Sequence, residues 1–180
     1  MLSFVIVAIV WRWILGDELG IVNYILTQAG LQPVSWLTSS IGAKSSIIFA
    51  TVWMRSGFFM VMVVAGLQAI PDEFYEVAAI DGAKSGQIFF QITLPLLRPT
   101  MLVVTVLSTI EAFKAFELIY VLTGGGPGYA TKLMVHNIYE LAFEQDRMGY
   151  AAANSVVLLL IIGVLTFSQF AASRGEFNNE

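Results

Sequence analysis

The 180-residue chain contains no cysteine and a single histidine, His136. The missing cysteines exclude disulfides, thiolate metal sites and a thiol nucleophile. One histidine cannot build a two-histidine zinc motif, so no metal is expected. Charge is scarce as well, at 12% of residues against about 25% in soluble domains. The 9 basic and 13 acidic residues give a formal charge of −4, the wrong sign for a nucleic-acid partner, which needs a basic stripe. What fills the space is apolar: 57% hydrophobic side chains and a mean hydropathy of +0.77. Disorder requires the opposite composition. The chain uses lipid as part of its solvent.

Four apolar segments carry that composition: Met1–Leu15, Ser45–Ile70, Thr100–Leu122 and Ala151–Ala172. Only Arg12, Arg55, Glu111, Lys114 and Glu117 place charge inside them. Such a partition is expected where a charge at the bilayer centre costs about 2.5–3.5 kcal/mol. A crossing needs about 20 apolar residues. At about 1.5 Å per residue the last three segments reach about 33–39 Å and can span, whereas the first reaches about 22 Å. Its start, Met1-Leu2-Ser3-Phe4, lacks the basic region of a signal peptide, and no small-x-small site follows. It reads as the second half of a helix whose beginning is absent, so an N-terminally truncated chain is expected. The fold class is all-α, a polytopic membrane bundle in one transmembrane domain over residues 1–180.

The connectors differ in character. Gly16–Lys44 repeats apolar residues from Ile21 to Leu26 at helical spacing, as a short interfacial amphipathic helix does. Trp11, Trp13, Tyr24 and Trp36 suit an aromatic belt. Gly124-Gly125-Gly126-Pro127-Gly128 reads as a turn that ends the third span. No Gly-Lys-Ser/Thr follows it, so it is not a phosphate loop. His136 reads as a solvated loop residue. Pro71–Pro99 is too long for a structureless loop without function. Asp72 is the expected N-cap, Phe74, Val77 and Ala78 share a helical face, Asp81-Gly82 breaks the helix, and Ala83–Ile92 resumes it. This is a helix–turn–helix outside the membrane with apolar residues to bury. Either it packs on its own helix ends or it docks another protein.

Glu76-Val77-Ala78, then Gly82, then Ile92, Leu94 and Pro95 resemble the EAA motif of ABC-importer permeases. That motif reads Glu-Ala-Ala, three residues, Gly, nine residues, Ile-x-Leu-Pro, and only Val77 departs from it. Ile80-Asp81-Gly82-Ala83, Leu94–Pro99, Leu122–Pro127 and Gly149–Ala153 are similar to the carbohydrate-uptake, maltose-type branch. The resemblance implies a six-helix core, of which this chain would hold the end of the third helix and all of the fourth to sixth. It implies a multi-pass protein of the bacterial cytoplasmic membrane, surrounded by lipid. Residues 71–99 and the C-terminus would be cytoplasmic, with 16–44 and 123–150 outside. It implies as partners a second permease subunit, two ABC ATPase subunits and an extracytoplasmic sugar-binding protein. Glu76, Ala78, Ala79, Asp81, Gly82 and Ala83 would form the coupling helix, supported by Ile92, Leu94 and Pro95. The chain itself would bind no cofactor and catalyse nothing, since ATP hydrolysis lies in the ATPase subunits.

Glu111, Lys114 and Glu117 sit three apart in the third segment, so one continuous helix makes them neighbours. Intramembrane ionisable residues face the bundle interior or a water-filled path. They either line the sugar pathway or pair with one another or with Arg55. Tyr120 and Asn154 are further pathway candidates, and Phe113, Phe116 and Tyr120 offer faces for a sugar ring. Near the start of its helix, Asn154 is more often a cap or an interhelical hydrogen bond. Two other classes remain. An ion-coupled secondary transporter would use Glu111, Lys114 and Glu117 as a relay. An intramembrane enzyme would have a poor catalytic inventory. Finally, Gly57, Gly66 and Ser108 mark small-residue faces for close helix packing.

Overall fold

The computed structural model describes residues 3–177, with side chains through Ser173, so Met1 and Leu2 of the first apolar segment lie outside the described residues. All regular elements among the described residues are helical. In chain order they are α1 (Phe4–Ile14), α2 (Ile21–Gln28), α3 (Ser40–Gln68), α4 (Glu73–Ile80), α5 (Ser85–Leu96), α6 (Arg98–Phe113), α7 (Glu117–Leu122), α8 (Met134–Tyr139) and α9 (Met148–Phe177). Two of them, α3 and α9 through Ser173, are long and apolar enough to cross a membrane singly. A third crossing is available only if α5 and α6, which meet at 60°, act as one bent span. Contacts divide the chain into two compact units, residues 1–55 with 111–162 and residues 56–110 with 163–180.

The first unit is organised around small residues. Ala8 of α1 and Ala50 of α3 are fully buried and receive Leu118 and Leu122 of α7. Phe4, Trp11, Ile47 and Met54 surround that centre. Arg12 crosses from α1 to donate Nη1 to the Val121 carbonyl at 3.2 Å, occupying one of the orphan acceptors at the end of α7. The connector before α3 is built on two polar side chains. Asn23, 3% exposed, donates Nδ2 to the Asp17 and Val34 carbonyls and accepts from Val34 N–H and Trp36 Nε1. All four of its hydrogen-bonding positions are therefore met. Asp17 accepts from the backbone N–H groups of Leu37 and Thr38 and from the Thr38 hydroxyl. Partial burial pushes its carboxyl upward, but hydrogen bonds from the Thr38 side chain and the Leu37, Trp36 and Thr38 backbone outweigh that and hold it below the ordinary carboxylate value. α3 begins five residues before the apolar run because the Ser39 hydroxyl accepts from Gly42 N–H at 3.0 Å, an N-cap bond.

In the second unit Pro95 shapes α5. Proline has no N–H to donate and its ring collides with the carbonyl one turn back. Residues Phe89–Thr93 answer by widening into a π-turn, with Leu94 N–H donating to the Phe89 carbonyl. Gln169 Nε2 of α9 donates to Thr109 Oγ1 of α6 at 2.8 Å. α3 and α6 come close at Gly66, where an added Cβ falls 2.5–2.9 Å from the Thr100 side chain. Thr100 Cβ itself is 2.9 Å from that position, so a change of rotamer does not clear it. Gly66→Val is therefore expected to cost about 1–3 kcal/mol by overpacking. Gly57, with open space around it, should accept alanine with little change. Thermal midpoints in detergent check both.

Candidate functional site

The helix–turn–helix over 71–99 forms as the spacing requires. α4 ends at Ile80 with Asp81 as its C-cap, and Gly82 turns left-handed with φ +73. Gly82 N–H bonds the Ala79 carbonyl at 3.1 Å, and Ala83 N–H bonds the Ala78 carbonyl at 3.0 Å. This is a Schellman closure, in which a Cβ at Gly82 is strained. α5 starts with the Gln87 side chain accepting from Lys84 N–H at 2.9 Å. Tyr75 and Thr93 hydroxyls, 3.3 Å apart, link the two helices. Asp72 occupies the N-cap position but makes no side-chain capping bond, because its backbone is already in the α region.

The turn leaves a groove walled by Glu73, Phe74, Val77, Asp81, Gln91 and Ile92, with Ala78 and Ala83 at its floor. Ala78 is buried, Ala83, Ile92 and Pro95 half-buried, and Glu76, Ala79, Asp81 and Leu94 exposed. Around them Phe74, Val77, Ile80, Phe89 and Phe90 are all exposed, with Ile80 at 85%. These five apolar side chains do not pack on the helix ends, whereas Ala78 is buried and Ile88 and Ile92 are half-buried.

The charged residues of the third segment are not brought together. α6 ends at Phe113 and α7 starts at Glu117, so the expected single helix over Thr100–Leu122 is broken at residues 114–116. An aromatic cluster lies beside the break. Phe116 stacks on Tyr120 at 5.1 Å and lies 4.9 Å from His136 and 5.0 Å from Tyr139. Leu118, Ile119 and Leu122 are buried at the same time. Glu111 forms an ion pair with Arg55 of α3, whose guanidinium also lies 4.5 Å from the Phe4 ring centre. Lys114 stands exposed at the break and Glu117 exposed in the first turn of α7. Tyr120 is 43% exposed. Asn154 Nδ2 donates to the Tyr150 carbonyl one turn back, within α9.

His136 is not solvated. It is 2% exposed, neither ring nitrogen has a hydrogen-bond partner, and its neighbours are the rings of Phe116 and Tyr120. Its position in a polar, glycine-bounded connector carried no sign of this. The connector closes on itself: Gly124, Gly125 and Gly128 take positive φ, Thr131 bonds back to the Gly126 carbonyl, and Lys132 pairs with Glu140. Burial lowers the His136 pKa, opposed by Glu140 and assisted by Lys132. The neutral form therefore belongs to the packed connector. An opened connector binds its proton near the ordinary value of about 6.5. Stability is thus complete above that pH and falls as pH drops below it, by up to about 1.4 kcal/mol per unit until the folded pKa is passed. Tryptic cleavage at Lys132 should accelerate between pH 7 and pH 5.5, and His136→Phe should flatten that dependence.

Two helices long and apolar enough to cross a membrane, together with a helix–turn–helix carrying a spaced Glu, Gly and Leu-Pro, are the features of a membrane permease. The model of the binding-protein-dependent transport system inner membrane component family matches residues 1–175, and the chain belongs to that family. It is 40% identical over 177 residues, 98% of its length, to the trehalose/maltose transport system permease protein MalF of Thermococcus litoralis. It is 36% identical over 153 residues, 85% of its length, to the sulfoquinovosyl glycerol transport system permease protein SmoG of Agrobacterium fabrum. The chain spans 59% and 50% of those two relatives. Among solved structures it superimposes on a chain of a bacterial ABC transporter that imports the acidic polysaccharide alginate. There the TM-score is 0.86 at 29% identity, covering 97% of this chain and 61% of the other. A second structure of the alginate transporter, matched with the same scores, contains an alginate pentasaccharide-bound periplasmic protein. These relatives are transporter permeases.

Proposed function

We propose that this chain is a permease subunit of an ATP-driven importer for a sugar or oligosaccharide, in a bacterial cytoplasmic membrane. Residues 71–99 face the cytoplasm and residues 16–44 and 123–150 face outward. It pairs with a second permease subunit, receives substrate from an external sugar-binding protein and is driven by separate ABC ATPase subunits. It binds no cofactor of its own. The observation that carries this reading is the helix–turn–helix whose apolar side chains stay exposed around the Glu76–Gly82 turn. An exposed apolar patch of this kind marks an interaction surface. A short helix closed by Gly82 and anchored through Pro95 transmits a push without bending, and rigid-body motion of packed helices alternates access.

In the pathway, Lys114 and Glu117 are the charged groups available to sugar hydroxyls, and Tyr120 offers ring surface. Glu111 is held by Arg55, and Asn154 by its own helix. No chemistry is done on the substrate. The test is uptake in cells treated with an uncoupler while ATP is held constant, together with recovery of an ATPase on affinity-purified chain. Persistent uptake with an ATPase recovered is expected. Collapse of uptake with no ATPase recovered would establish the ion-coupled alternative.

A further inference from the structure

We propose that the first unit holds a binding site for one acyl chain of an anionic phospholipid, in a groove between α1, the connector and the first half of α3. Its walls are Trp11 and Leu15 of α1, Val22 of α2, Trp36, and Ile48 and Val52 of α3. Its two serines and the Trp36 indole are already engaged. Ser46 Oγ donates to the Trp36 carbonyl, Ser45 Oγ to the Ile41 carbonyl, and Trp36 Nε1 to Asn23. Apart from the Trp11 indole N–H, the lining offers a ligand only apolar surface, so its occupant is hydrocarbon. From Ser45 to Val52 the groove follows α3 for about 10 Å, a third of the roughly 30 Å hydrocarbon core. Lys44 and Ile48 are one helical turn apart, so the exposed Lys44 lies above the mouth on the groove's own face. That cation, at the end of α3 beside the tryptophans, complements a phosphate, and the indoles place this level at the membrane interface.

Bulk lipid tails are as apolar as the groove, so hydrocarbon contact alone gives no preference over the surrounding bilayer. Selectivity comes from Lys44 and corresponds to about a fivefold preference for an anionic over a zwitterionic headgroup. The full chain, with Trp13→Phe and Trp53→Phe so that Trp11 and Trp36 report, is reconstituted in phosphatidylcholine nanodiscs. Dibrominated phosphatidylglycerol is added at rising mole fraction and tryptophan quenching is followed. Saturation at low mole fraction is expected, with about fivefold preference over dibrominated phosphatidylcholine. Lys44→Gln should bring that ratio to one. Val52→Phe should fill the groove and weaken quenching by both lipids. A ratio of one without substitution, or a preference unchanged in Lys44→Gln, overturns the proposal. So does absence of quenching by either lipid, which means that protein covers the groove.

Discussion

Glu76→Lys is expected to abolish uptake while leaving the chain inserted in the membrane. Glu76 is exposed in the first turn of α4, and the altered charge lies outside the spans. Locally the change replaces an acid that suits the helix N-terminus with a base that does not, a loss of about 0.3–1 kcal/mol. That is too little to unfold a helix whose end is fixed by the Gly82 closure and the Tyr75–Thr93 contact. At a docked interface the scale is different: disrupting a buried charged contact costs about 2–5 kcal/mol, or about 30- to 4,000-fold in affinity. The ATPase should therefore be lost on purification along with transport. Glu76→Gln, which keeps the shape and some hydrogen bonding, should retain part of both. Uptake of labelled sugar and ATPase recovery, measured on the same membranes, check the pair. Normal values of both for Glu76→Lys would remove this residue from coupling.

The second large effect is expected at the Arg55–Glu111 pair. Removing one partner strands a charge among Phe4, α3 and α6. Breaking a buried pair in this way costs about 3–5 kcal/mol, whereas replacing both partners by apolar groups is often neutral. The two side chains keep 25% and 38% of their surface exposed, so the single-variant cost should fall at or below the lower end of that range. Glu111→Leu should thus lower the thermal midpoint clearly, and Arg55→Met combined with Glu111→Leu should recover most of it. A double variant no more stable than Glu111→Leu alone would show that the pairing does not organise this unit. If Glu111 instead served a proton relay, the double variant would remain inactive whatever its stability.

The local devices of this fold were legible because each is written in consecutive residues. The break at Asp81-Gly82, the interfacial helix after Gly20 and the glycine turn at 124–128 all follow from residue type and spacing. Ser39 was an available signal for the earlier start of α3. The π-turn at 89–93 has a cause in Pro95, but proline fixes only the need for relief, not its form. The break at 114–116 was illegible for a different reason. Thr100–Leu122 has the length and hydropathy of one span, and nothing in its sequence marks Phe116 as the residue that leaves the helix. At the break it joins an aromatic cluster completed by His136 and Tyr139, twenty and more residues away. The same cluster buries His136, which the polar connector disguised. At the candidate docking surface the motif located the residues. Only the structure distinguished an exposed apolar face from one folded back on the bundle.

The most direct test of that face is a site-specific cross-link. The chain has no native cysteine, so a single cysteine at Ile80, 85% exposed at the end of α4, gives an unambiguous attachment point. With a short bifunctional reagent in native membranes, this position should cross-link to an ATPase subunit. The yield should change when ATP is trapped without hydrolysis, whereas a cysteine at Tyr129, in the connector proposed to face outward, should give no such product. An Ile80 cysteine that never cross-links to an ATPase, or a Tyr129 cysteine that does so equally, would contradict the account.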